Sequence, residues 1–115
     1  MDDATLLAAR AAILADLRAR GLADAEAVSM LEEAMSQRRW WVGQWPDGLT
    51  YAAGLVAQDV QDALLDAGRR WPECRLCDAD GPLHTLAIEP DLGGPDPVWV
   101  CEEAGAEVAA LGELG

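Results

Sequence analysis

The chain has no phenylalanine, no lysine, one tyrosine and one histidine. Nor does it contain a run of apolar residues near the roughly 20 that a membrane span needs. Without phenylalanine, five tryptophans must supply most of the large packing surfaces. Without lysine, eight arginines face 21 acids, and the net charge is −13. That balance argues against nucleic-acid binding, which needs clustered cations, and against an anionic membrane surface. An acidic soluble protein is the plainer reading. The first twenty residues open on Asp2 and Asp3 and are interrupted by Arg10 and Asp16. A secretory signal needs a cationic start and an unbroken apolar run, so none is expected. Without export, the reducing cytoplasm is the expected compartment, and an odd count of three cysteines does not suggest a disulfide framework.

What is present is alanine and leucine, 22 and 16 of 115 residues, in a chain long enough for one modest core. The composition changes near residue 70: five of the six prolines and all three cysteines follow it. We therefore expect an α+β protein, with a helical region over 1–69 and a zinc-ribbon-like module over 70–115, together forming one compact domain. Asp2 or Asp3 can cap a first helix that runs to about Arg20, with Gly21 at its end. Asp24 can cap a second, whose expected buried face is Val28, Leu31 and Met35; Gly43, Pro46 and Gly48 end it or bend the chain. A third spans about Leu49 to Ala67, with Leu49, Ala53, Val56, Val60 and Leu64 as its stripe. Asp59, Asp62 and Asp66 lie along another side and read as a solvated acidic face, with a cationic partner as the alternative. Thereafter LHTLAIEP, PVWVC and AEVAALGEL predict two or three short antiparallel strands.

The stretch RWPECRLCDADGPLH gathers Cys74, Cys77 and His84, with Cys101 downstream. Thiolates are soft, charged donors, and two of them separated by two residues can grip one ion from a tight turn. Cys74, Cys77, His84 and Cys101 make a Cys3His set that suits a closed, structural zinc site and leaves no cysteine or histidine over. Around Cys101, the segment CEEAG resembles a second zinc-ribbon turn, with Ala104 where its last cysteine would stand and Gly105 kept. Iron fits the same ligand types. A redox CxxC pair is a third reading, but Asp78, Asp80, Gly81 and Pro82 make a turn where such a pair needs a helix. The plainest alternative has the cysteines as small buried apolar groups and His84 as a core histidine. Four protein ligands would leave no open position for a catalytic water, so a non-enzymatic role is expected.

Two further features bear on partners. WWVGQW places Trp40, Trp41 and Trp45 within six residues, after Arg38 and Arg39. Tryptophan with arginine is the composition of interaction hot spots, but in a chain without phenylalanine it also serves packing. Adjacent helical positions diverge by about 100°, so Trp40 and Trp41 cannot share one face. Trp71 and Trp99, each near a cysteine, are expected in the core. On the first helix Leu6, Leu14 and Leu17 flank Arg10, and this stripe is the expected contact surface for a protein partner or a second copy in a homodimer.

With RRWWVGQWPDG, GLVAQDVQDALL, WPECRLC and WVCEEAG in view, the chain resembles uncharacterised small zinc-ribbon-like proteins of high-GC, actinobacterial-type bacteria, which share a W-P-x-C-x-x-C, histidine, W-V-C layout. The likeness covers residues 38–115 best. It implies zinc binding and no particular activity. The expected function is a non-enzymatic, zinc-stabilised adaptor or accessory subunit acting through protein–protein contacts, with no small-molecule substrate inferred. The alternatives are a zinc- or thiol-dependent enzyme and a transcription-associated regulator that uses the ribbon.

Overall fold

A computed structural model describes residues 3–75, 84–90 and 94–114. Three helices precede a small antiparallel sheet, which makes the protein α+β. The helices are α1 (Asp3–Ala19), α2 (Ala25–Gln44) and α3 (Leu49–Asp66), with one 3-10 turn at Pro46–Gly48 between the last two. The strands are β1 (Ala87–Glu89), β2 (Val98–Cys101) and β3 (Ala106–Ala110), in the order β1-β2-β3. Among the described residues no helix is long and apolar enough to cross a membrane.

The helix ends follow local chemistry. Asp24 caps α2 by accepting from the Ala27 amide at 2.9 Å. Asp2, one of the two expected caps for α1, lies outside the described residues, and Asp3 is already helical. Helices α1 and α3 end alike, on a glycine with positive φ, Gly21 or Gly68. In each case the next residue's amide reaches back five positions, Leu22 to Leu17 and Arg69 to Leu64. Both are Schellman ends, which an L side chain at the glycine would strain.

Each helix packs against the other two. From α1, Leu6, Ala9, Ile13 and Leu17 enter the core; from α2, Ala27, Leu31, Ala34, Met35 and Val42; from α3, Ala52, Val56, Ala57, Val60 and Leu64. The face of α2 is turned from the expected one, since Val28 is only half-buried while Ala27 and Ala34 are inside. Small side chains there allow close helix approach.

The first helix is therefore not a free contact surface. Leu6 and Leu17 are fully buried, Leu14 is half-buried against the core, and Arg10 pairs within the chain with Glu32 of α2. The reason is the packing of the three helices: α1 carries seven alanines in 17 residues, and its few large aliphatic groups are taken up by the interior that α2 and α3 share with it.

The sheet joins the same core. Ile88 of β1 stands opposite Trp99 of β2, and both point inward. The β2–β3 register slips between Trp99 and Val100, passing over Val108. Gly105, at positive φ, lies in the turn that joins these strands. Trp71 and Trp99 meet edge to face, with ring centroids 5.2 Å apart, and both are buried as expected. Gln61 of α3 ties the two layers together, donating to the carbonyls of Leu86 (2.8 Å) and Trp71 (3.2 Å).

Asp16 makes the most concentrated link between layers. This fully buried acid of α1 accepts from Trp99 Nε1 (2.8 Å) and the Gly112 amide (2.7 Å) on Oδ2, and from the Leu114 amide (3.0 Å) on Oδ1. Its carbonyl accepts from Trp71 Nε1 at 3.3 Å. Gly112 permits this approach: its φ is +95°, and a Cβ there would stand 3.0 Å from that of Ala12.

Candidate metal centre

Backbone pairing assembles the site. The Leu86 amide donates to the Pro72 carbonyl (2.8 Å) and the Cys74 amide to the His84 carbonyl (2.9 Å), so 72–74 runs antiparallel beside 84–86 around a Glu73–Thr85 bridge. Strand β1 continues from the second of these segments and pairs with β2, Ala87 opposite Val100. Cys101, the next residue of β2, is thereby carried toward His84.

Three donor atoms converge. Sγ of Cys74 lies 3.6 Å from Sγ of Cys101, which lies 3.6 Å from Nε2 of His84. All three atoms fall within 4.8 Å of one another. Cys101 is buried and the other two are half-buried; neither described cysteine is in a disulfide.

The donor set can be tested against a metal. Zn–S bonds of about 2.3 Å and Zn–N bonds of about 2.0–2.1 Å, disposed tetrahedrally, put two sulfurs roughly 3.8 Å apart and a sulfur and a nitrogen roughly 3.6 Å apart. The two 3.6 Å separations match those edges to about 0.2 Å. Two thiols and an imidazole so spaced fit a tetrahedral thiophilic ion. Without an ion, the same distances suit weak sulfur hydrogen bonds. Cys77, the expected fourth ligand, lies outside the described residues, as do Asp78, Asp80, Gly81 and Pro82 of the turn expected after it.

Arg20 stands beside this site and has no sequence signal to announce it. Its Nη1 donates to the Glu73 carbonyl at 2.7 Å, and its buried Nε has no partner among the described residues. Burial, then repulsion from Arg75, holds the guanidinium below the ordinary arginine value, while Asp16, Cys74 and Glu73 pull it upward. Were a metal bound, the cysteines would be thiolates, and this cation would offset part of their negative charge.

The tryptophan segment lies elsewhere. Trp40 is 68% exposed and Trp41 half-buried, the divergence that adjacent helical positions require. Trp41 meets Trp45 edge-on, and Trp45 stacks on Tyr51.

No curated protein and no solved structure matches the chain. A family model, described as a domain of unknown function (DUF8819), matches residues 2–111 and so takes in α1 together with the sheet. The chain belongs to this DUF8819 family.

Proposed function

We propose that this protein is a non-enzymatic adaptor or accessory subunit of the cytoplasm whose C-terminal module is held by one structural zinc ion. The observation that supports the metal is the convergence of Cys74, His84 and Cys101, with Cys101 at tetrahedral edge length from both of the others. Cys77, three positions after Cys74, would complete the shell. When bound, zinc would supply folding free energy to a sheet too small to hold itself. The protein's own residues supply the rest: the 72–74 and 84–86 pairing orients two donors, and β2 delivers the third.

Elemental analysis of protein purified without added metal tests the site. About one equivalent of zinc is expected, falling steeply in Cys77→Ser; less than about a tenth of an equivalent of any transition metal would sink it. The adaptor half is tested separately. The native protein should co-purify with a stoichiometric protein partner or run as a homodimer in light scattering; a solitary monomer in both assays would overturn that half.

A further inference from the structure

We infer that the exposed tryptophan end of α2 and the groove beside it dock a positively charged amphipathic helix of a partner protein. This inference deepens the adaptor reading and rests on it. Trp40 is the most exposed large apolar side chain among the described residues, at 68%. With Arg38 and Trp41 it lines an open hollow of about 540 Å³. An apolar surface rimmed by polar groups marks a place of contact more often than a free face. Here it is also braced. The Arg38 guanidinium lies 5.3 Å from the centroid of the Trp41 ring, and Asp59 of α3 accepts from it through both carboxylate oxygens (2.7 and 2.9 Å). A platform held in place before binding loses less entropy on association.

Charge identifies the occupant. Gln37 lines both this hollow and a groove of about 640 Å³ between α2 and α3. Among the described residues, five acids line that groove and no cation does. Asp59 is satisfied by Arg38, and Glu26 faces Arg69 at 3.4 Å. Glu33, Asp62 and Asp66 have no ion pair among the described residues. Arg39 adds one positive charge at the aromatic end, so the partner's basic residues belong over the acidic half. From Glu26 to Trp41 the surface runs about 22 Å, roughly four turns of helix. A cleft between two helices accepts a third along its length, its apolar side against the buried or half-buried Met30, Ala34 and Ala63 and its basic residues toward the exposed Glu33, Asp62 and Asp66. A second copy of this chain, at net charge −13, would bring like charge against the groove, and an anionic membrane would do the same.

The probe is a synthetic 16-residue peptide with leucine at helical core spacing and lysine elsewhere, titrated against the intact protein by calorimetry. Two control peptides replace lysine by glutamate or scatter the leucines at constant charge. The lysine helix should bind and the controls should not. Affinity should fall about tenfold in Trp40→Ala and again in Asp62→Asn/Asp66→Asn, and should weaken with salt. Glu103→Gln/Glu107→Gln removes the same charge from the sheet and should change it less than about twofold. Equal binding of the scattered peptide, equal loss in the sheet variant, or no binding at all would overturn the site. If such a failure came with a partner still co-purifying, the adaptor reading would stand without this surface. If no partner co-purified and the peptide still failed, both would fall.

Discussion

Asp16 carries more of the architecture than any residue the sequence singles out. Its two side-chain oxygens receive three donors from β2 and the C-terminal turn, two buried and one half-buried, 83 to 98 positions away in the chain. Asp16→Ala would leave those donors unpaired in an apolar interior, at a cost of about 3 kcal/mol or more. Asp16→Asn should cost nearly as much. Whichever way the amide is turned, its NH2 replaces an oxygen that faces at least one donor. Urea denaturation with an unchanged m-value checks both variants, and a loss below about 1 kcal/mol in Asp16→Ala would contradict the role. In the sequence, Asp16 only interrupts an apolar stripe between Ile13 and Leu17. Two of its partners are backbone amides, which every non-proline residue owns, so no side-chain pattern could announce them. The grouping of Cys74, His84 and Cys101 was legible for the opposite reason, since cysteine and histidine are rare here and their chemistry is specific.

Elements were legible where caps and periodicity act locally. Asp24 and Gly21 mark helix ends because one side chain or one φ angle settles the matter. Which face of α1 is buried could be read from its leucines; whether that face meets its own chain or a partner could not, because neighbours are a property of the whole fold. The start of α2 shows how a local signal is reinforced from afar. Asp24 holds the Ala27 amide and also accepts from Arg69, which follows α3, at 2.6 and 3.2 Å. The Arg69 hydrogen bond first, then the Ala27 amide, keeps the Asp24 carboxyl below its ordinary value of 3.8. A carboxyl depressed in the folded state stabilises fully above its unfolded value and progressively less as pH falls through the folded one. Asp24→Asn keeps the capping oxygen and removes the charge. Thermal melts should show the variant below the wild type near neutral pH, with the gap closing as pH drops below about 3.8. A gap that stays constant down to pH of about 2.5 would mean the Arg69 pair contributes nothing.

Across the whole molecule, the layers have one core in common. Leu6, Ile13 and Leu17 of α1 belong to the same buried cluster as Trp71, Ile88, Trp99 and Cys101. Asp16 and Gln61 cross the boundary near residue 70 with buried or half-buried hydrogen bonds. The change of composition at that point therefore marks a change of secondary structure inside a continuous interior. If metal ligation stabilises the sheet, the helices must feel it. Losing the sheet would leave the side of α1 around Asp16 with unpaired polar groups and would uncover Leu64 and Trp71. We therefore expect unfolding in a single transition, with the helical signal near 222 nm and tryptophan fluorescence superimposing. Chelation at neutral pH should lower both curves together. Two outcomes would break this account. One is tryptophan fluorescence that melts before the helical signal. The other is a chelator that moves fluorescence alone. Either would mean that the three-helix layer stands without the sheet and that Asp16 joins two units able to fold apart.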